Sequence, residues 1–589
     1  MSNAPSTNFI SVVHNRKSDK VLVWERPIEG GPRRLVEWDP PRYFYVPDPE
    51  GEFSTITQER VRKIEFASEE DFDQGKRMHK VRFESDVSVT ARVLMDHYYG
   101  RKTPMINFGF IDIETDYTSK NLGFSSPANP YAPINAVTIY KSHTRSYVTF
   151  VVPPPGWDQH KGFEDRLQDM LTKHKVMFKP ELYICANERE LLAGFLTEID
   201  DLDLISGWNS EFFDLPYIIR RIERVYGEKI VGRMCFKGAP NPRESEVIRF
   251  GSPALTYSLY GRVHLDYLAA FKKFTFEGRT SYSLGNIGTE ELGIPKLDYE
   301  GTLEQLYKGT FEPDVSRMDM EGALEFEDET LRLAYVRAIL KRDAPDSDEF
   351  KEVDKQLKDS SFLKFTAYNI HDVQMLVMLD DKFKFIQLVN QMAHDNTVPF
   401  ESILGTVRYV ETGIMNRAHN VHNLICNDKH IPETDNEKVE GAMVLTPLAG
   451  LHDWLASVDI NSLYPSVIRA LNMSRETFIG QFEEGEDAWR GIVAKDNVLY
   501  TLVYDKFTPE TKSGAEWANV IKEANWAVSA FGTVFDQNMI GMVADTLTYW
   551  FSERKLMQAE KKKWAKEAKN LSNSLGIELD EETLLELQR

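Results

Sequence analysis

The chain is poor in cysteine, in long apolar runs and in positive charge, and each shortage excludes something. Three cysteines, Cys185, Cys235 and Cys426, are too few and too scattered for a disulfide framework or a zinc cluster. No apolar run reaches the ~18 residues of a transmembrane helix. Met1 to Asn15 lack a basic n-region and an apolar h-region, so no signal peptide is expected. The expectation is a cytoplasmic protein with no membrane partner. The formal charge is −22, with 42% hydrophobic and 12% aromatic residues. So acidic a total argues against a chain coated for nucleic acid, which is usually basic. At 589 residues, about four domains are expected, long enough to bury several cores.

The pattern divides the chain into four stretches. Residues 1–105 read as a β-rich domain. Runs such as Val21–Trp24 and Tyr43–Val46 are broken by Gly30-Gly31-Pro32 and Pro47-Asp48-Pro49. From 106 to 395, strand-like runs alternate with helical ones. Ile106–Ile113, Ala136–Tyr140, Tyr147–Val152 and Tyr183–Ala186 precede a helix at Glu188–Glu198 and a strand at Ile205–Trp208. That alternation predicts an α/β domain. Inside it, 311–360 holds 15 acids and 8 bases, and reads as a helical, solvent-facing insertion. Residues 396–480 form a link followed by a strand-turn-helix unit. Residues 481–589 contain a long basic helix, Thr546–Lys569, and a second helix beginning at Asp580. The fold class is α/β, or α+β taken over several domains.

Three patterns in the second stretch concentrate carboxylates. Phe110-Ile111-Asp112-Ile113-Glu114-Thr115 ends an apolar strand. Strand side chains alternate, so Asp112 and Glu114 share one face, and Ile111 and Ile113 the other. Two acids so placed repel each other unless a cation lies between them, and oxygen ligands suit Mg²⁺ or Mn²⁺. Gly207-Trp208-Asn209-Ser210-Glu211-Phe212-Phe213-Asp214 joins a strand to a helix that Pro216 could start. It sets Asp214 near a helix N-terminus. In Tyr368-Asn369-Ile370-His371-Asp372, Tyr368 and Asp372 are four apart and share a helix face. Singly, these are a strand end reaching solvent, a helix cap and a Tyr/Asp pair. Together and in this order they resemble the Exo I, Exo II and Exo III motifs of the DnaQ-like 3′→5′ exonuclease domain. The resemblance implies that Asp112, Glu114, Asp214 and Asp372 hold two metals and that Tyr368 orients the attacking water. Two metals ~4 Å apart activate a water and stabilise the leaving oxygen in phosphodiester hydrolysis.

A fourth pattern, Ser457-Val458-Asp459-Ile460-Asn461-Ser462-Leu463-Tyr464-Pro465-Ser466, reads as strand, turn and helix. Trp454–Ile460 is strand-like, Asp459 lies at its end, and Pro465 sits near the helix start. The amides of Ser462 and Leu463 lie beside a helix N-terminus, a natural phosphate cradle. The stretch resembles motif A (D-x-x-S-L-Y-P-S) of family B DNA polymerases of the T-even-like bacteriophage type. The resemblance implies that Asp459 and the Ile460 carbonyl bind catalytic metals, two ions per active site. It implies that Ser462 and Leu463 grip a dNTP triphosphate and that Tyr464 excludes a 2′-hydroxyl. Phe551-Ser552-Glu553-Arg554-Lys555 resembles the first fingers helix, with Arg554 on the triphosphate. The family's next basic position is Gln558 here, and Lys561 or Lys562 could replace it. Asp266-Tyr267 through Lys272-Lys273-Phe274, then Ser281-Tyr282-Ser283-Leu284, also fit the family, as does Gly441-Ala442. Val439 stands where the family has an aromatic.

Motif B (K-x-x-x-N-S-x-Y-G) and motif C (Y-x-D-T-D) occur nowhere in the sequence. The expectation is therefore the N-terminal subunit of a split replicative DNA polymerase. It would act on primer-template and single-stranded 3′ ends. A partner would carry motifs B and C and the thumb, and would engage any sliding clamp. The chain would work in the cytoplasm, a host's if it is viral. Three alternatives stay open: a stand-alone exonuclease derived from a polymerase, an artificial truncation of a full-length polymerase, and an inert DNA-binding scaffold.

Overall fold

The computed structural model describes residues 6–115, 125–157, 162–176, 178–249, 252–405, 407–429, 446–460 and 462–575. Gly441-Ala442, Val439, Asn461 and the helix expected from Asp580 lie outside these residues. The chain divides into two compact units, 1–41 with 87–413 and 42–86 with 414–589. The β-rich stretch 1–105 is thus shared between them.

In the first unit the apolar runs form a six-stranded sheet. Its spatial order is Glu181–Ile184, Ser146–Val151, Ile134–Lys141, Phe108–Thr115, Leu204–Gly207, Val263–Asp266. The central strand Phe108–Thr115 pairs antiparallel with Ile134–Lys141 and parallel with Leu204–Gly207. Both faces are covered, as parallel strands require. Ile111 and Ile113 pack with Leu191, Phe195, Leu215 and Ile218 on one side. Phe110 packs with Tyr267, Val373 and Leu376 on the other. The expected alternation holds, and it sends Asp112 and Glu114 toward the side of the helix Asp348–Phe383.

That helix is 36 residues long and carries both Tyr368 and Asp372. Its first turns belong to the acidic insertion. The insertion is helical as expected, but it is more than a solvated surface. Val315, Val336, Ile339 and Leu340 bury a small core, against which Phe350 and Val353 pack. Its charges are spent partly on each other: Arg337 pairs with Asp354 at 2.5 Å and with Glu312 at 3.4 Å.

An N-terminal sheet, Thr7–Asn15, Lys20–Pro27 and Arg34–Trp38, is tied to the large sheet by a buried ion pair. Arg26 Nη2 donates to Asp203 Oδ1 at 2.9 Å, Arg33 Nη1 reaches the same oxygen at 3.3 Å, and the Asn107 amide donates to Oδ2 at 2.8 Å. Asp203 is fully buried.

The second unit holds two sheets. Residues 53–55, 60–65 and 43–47 form three strands of one, joined in parallel by Leu424–Ile425. The other is antiparallel, in the order Glu510–Ser513, Leu499–Tyr504, Phe478–Phe482, Thr533–Asp536, Trp526–Val528. The helices Glu486–Ala494 and Gly514–Ala524 belong with it, around a core of Phe482, Leu502, Trp517 and Val534. The sequence reading missed this small α/β body, because its strands are short and partly polar. The basic helix is present as Met542–Leu575. No helix among the described residues is long and apolar enough to cross a membrane.

Removing one partner of a buried ion pair strands the other, at a cost of about 3–5 kcal/mol. Asp203→Ala should therefore lower the unfolding midpoint clearly. Asp39→Ala, which breaks the exposed Lys20–Asp39 pair, should change stability by less than about 1 kcal/mol. Denaturant titration of both variants checks the contrast, and equal effects would contradict it.

Candidate active site

The acids meet at the carboxyl end of the central strand, where open α/β sheets place their ligands. Asp112, Glu114 and Asp372 each bring an oxygen to within 4.8 Å of the other two. Asp372 comes from the long helix, one turn beyond Tyr368, as the spacing required. Asp214 is the first residue of the helix Asp214–Tyr226. It does not cap that helix. Its Oδ1 accepts from the Ile113 amide at 3.3 Å, between the two strand acids. Its charge is felt by Asp112.

The loop that delivers Asp214 is fixed by Asp266. That carboxylate accepts from four backbone amides: Asn209 at 3.1 Å, Glu211 at 3.2 Å, Leu268 at 2.9 Å and Ala269 at 3.4 Å. It caps one helix and closes the turn before another. Gly207 lets the loop leave the sheet. A Cβ there would lie 2.8 Å from the Ile111 carbonyl oxygen. Trp208 anchors the same loop through Nε1 to the Tyr282 carbonyl at 3.0 Å.

Lys296 completes the cluster, and the sequence reading did not find it. Its ammonium donates to the Tyr368 hydroxyl at 3.0 Å and to Asp372 Oδ2. It lies in Pro295-Lys296-Leu297, in no regular element. No periodicity marks it, and only the tertiary fold brings it to Tyr368.

The electrostatics are those of a site built for cations. Burial, then the charges of Glu114 and Asp372, raise Asp112 well above the usual carboxylate range. Burial and Asp372 push Glu114 up to about 8, with Lys296 opposing. Burial pushes Asp214 up to about 7 against the pull of backbone amides. Asp372 is also raised by burial, with Lys296 opposing. For Lys296 burial works against the charge, but Asp372, Tyr368 and Asp112 together outweigh it and the group is raised. Asp372 Oδ1 is buried and has no hydrogen-bond partner. Crowded acids and an orphaned acceptor fit a divalent cation held by oxygen ligands.

The motif A residues lie in the second unit. The expected strand Trp454–Ile460 is not formed. Those residues are in no sheet, and Trp454, Leu455 and Val458 are at least 84% exposed. A strand needs a ladder partner, and no described strand pairs with them. Asp459 and Ile460 are therefore exposed. Ser462 adopts a left-handed φ of 53° just before the helix Leu463–Leu471. Tyr464 is 72% exposed. The basic helix does come to this turn. Arg469 Nε donates to Thr548 Oγ1 at 3.0 Å, and its guanidinium covers the Phe551 ring at 4.5 Å. One turn on, Arg554 Nη1 donates to Ser462 Oγ at 3.3 Å. Lys561 and Lys562 lie exposed further along.

A covered α/β sheet with clustered acids at the carboxyl end of its central strand, followed along the chain by an acid-bearing turn and a basic helix, defines a multidomain α/β enzyme chain. Two family models identify it more closely. The model for the exonuclease domain of DNA polymerase family B matches residues 56–287, and the model for DNA polymerase family B matches 401–574. The chain belongs to the family B DNA polymerases. It is 26% identical over 488 residues to the DNA-directed DNA polymerase of Escherichia phage RB69, covering 78% of this chain and 47% of the relative. It is 27% identical over 378 residues to that of Enterobacteria phage T4, covering 61% of this chain and 35% of the relative. With the DNA polymerase delta catalytic subunit of Schizosaccharomyces pombe it shares 25% identity, over 51% of this chain and 24% of the relative. The chain spans about half the length of these relatives or less.

The raised acids give a sign for pH. A carboxyl whose folded value is raised binds its proton more tightly when folded. Its ionised form costs stability, so the cluster's contribution to the metal-free fold is greatest below the ordinary carboxylate range and is lost as pH rises toward the raised values. Calorimetric scans of metal-free protein from pH 5 to 8 should show falling midpoints. Mg²⁺ should raise the midpoint more at pH 8 than at pH 5. A Mg²⁺ effect independent of pH would contradict the assignment.

Proposed function

We propose that the chain is a metal-dependent 3′→5′ DNA exonuclease joined to half of a DNA polymerase site. The observation that carries the nuclease reading is the convergence of Asp112, Glu114 and Asp372, with Asp214 beside them and Tyr368 held by Lys296. In this reading the four acids hold two Mg²⁺ or Mn²⁺ ions. When bound, the ions polarise water and steady the leaving 3′-oxygen. The chain's own residues do the rest. Tyr368 and Lys296 hold a polar edge beside Asp372, where a water can be oriented. Asp266 keeps the Asp214 loop closed. The four acids together offset the ion charge.

For synthesis, Asp459 and the Ile460 carbonyl are the proposed metal ligands, Ser462, Leu463 and Arg554 the triphosphate contacts, and Tyr464 the sugar gate. The Arg554–Ser462 contact supports grouping these residues. The second carboxylate that two-metal nucleotidyl transfer needs is the motif C acid, which these 589 residues lack. We read the chain as completed by a separate polypeptide bearing motifs B and C and the thumb. The unpaired, apolar 454–460 stretch suits that reading. DNA primer-template, single-stranded 3′ ends and dNTPs are the proposed substrates. A clamp contact would come through the partner. The site of action would be the cytoplasm, a host's for a viral protein.

Asp112→Ala combined with Glu114→Ala should reduce release of nucleotides from single-stranded 3′ ends by at least 10³-fold, a small part of the acceleration typical of enzymes. Retained activity would overturn the nuclease reading. Mixing the chain with a separately expressed fragment bearing motifs B and C should yield primer extension that Asp459→Ala abolishes. Failure of the two to associate or extend would refute the split site.

A further inference from the structure

We propose that Asn369 is a positioning residue for the nuclease site, clamping Asp112 at the end of a one-way hydrogen-bond chain that starts at Thr149. The inference rests on the nuclease reading above and adds a residue that touches no reacting atom. Three polar side chains lie in a row across the sheet, and Asn369 of the helix Asp348–Phe383 bonds to two of them. Asp112 faces Thr138 across one antiparallel pair, and Thr138 faces Thr149 across the next. Both threonines and Asn369 are fully buried. Two hydroxyls and an amide cost several kcal/mol in an apolar interior unless they are paired.

The pairing has only one possible direction. Asn369 Nδ2 lies 2.8 Å from Asp112 Oδ2 and 3.2 Å from the Asp112 carbonyl oxygen. A backbone carbonyl can only accept, whatever the charge on the carboxyl, so the amide nitrogen must face Asp112, and Oδ2 accepts from the same nitrogen. Asn369 Oδ1 is thereby turned to Thr138 Oγ1 at 2.6 Å, and that hydroxyl must donate. Thr138 Oγ1 then accepts from the Thr149 hydroxyl at 2.9 Å. Each donor is polarised by the next, and the chain delivers two N–H bonds to Asp112, which lies among like charges. Asn369 lies between Tyr368 and Asp372 on the same helix, so a single rigid element positions both sides of the cation site. Ligand-orienting partners of this kind change metal affinity by about 10–100-fold.

The test measures Mn²⁺ affinity by electron paramagnetic resonance, together with kcat and KM on a single-stranded oligonucleotide and the thermal midpoint. Asn369→Leu should weaken Mn²⁺ at least about tenfold and lower kcat while leaving KM for DNA unchanged. Raised Mn²⁺ should recover part of the loss. Thr138→Val keeps the amide on Asp112 but removes its polarising donor, and should give a smaller loss in the same direction. If Asn369→Leu fails to fold, Thr138→Val carries the test. Wild-type Mn²⁺ affinity in folded Asn369→Leu, or in Thr138→Val, would overturn the proposal, whatever happens to the midpoint. Nuclease activity surviving in the Asp112→Ala/Glu114→Ala protein would instead sink the nuclease reading. The Mn²⁺ titration without DNA would still decide the clamp.

Discussion

Like charges crowded out of water set the terms for everything around the nuclease site. Four carboxylates and one ammonium occupy a corner of a protein interior, where unpaired charge is costly. The fold answers that cost separately on three of the four acids. Asp112 receives the Asn369 amide, Asp214 the Ile113 amide, and Asp372 the Lys296 ammonium. Asp266 is not in the cluster, yet its four amide contacts freeze the loop that carries Asp214. What these partners leave unsatisfied, above all Asp372 Oδ1, is what a cation would take up.

The net charge of the chain reads differently in that light. Total charge says little about where DNA binds, because a polynucleotide meets the local field. Two acids of the insertion, Glu312 and Asp354, pair with Arg337 and Lys341 beside its small core. The clustered acids take their partners from the Asn369 and Ile113 amides and from Lys296. Seven basic residues, Arg554 to Lys569, are gathered on Met542–Leu575, beside the motif A turn. An acidic protein can therefore present a basic stripe and a cation-binding corner without contradiction.

Much of the nuclease unit was legible in the sequence, because strand alternation and helix spacing are short-range rules. Asp112 and Glu114 share a face because they are two apart in a strand. Tyr368 and Asp372 share one because they are four apart in a helix. The expected helix Glu188–Glu198 agrees with the structure residue for residue. Lys296 and the Thr149–Thr138–Asn369 chain were not legible, since their partners lie far away in sequence and no periodicity marks them. The motif A strand failed for a related reason. Trp454–Ile460 has the apolar pattern of a strand, but pattern supplies no hydrogen-bonding neighbour. The division of 1–105 between two units was hidden as well, because Leu424–Ile425 reaches back across the chain to pair with Phe53–Thr55.

The helix Asp348–Phe383 has one more consequence. At 1.5 Å per residue it is about 54 Å long, and it runs unbroken from the core of the insertion to the catalytic corner. Each residue added to or removed from it between Ser361 and Ala367 would turn the far end by about 100°, carrying Tyr368, Asn369 and Asp372 away from the sheet. The loops of the insertion are free to vary in length, while the shaft below them can change only by whole turns. The insertion and the active corner are thus geared together, and drift in one is limited by the pitch of the helix they share.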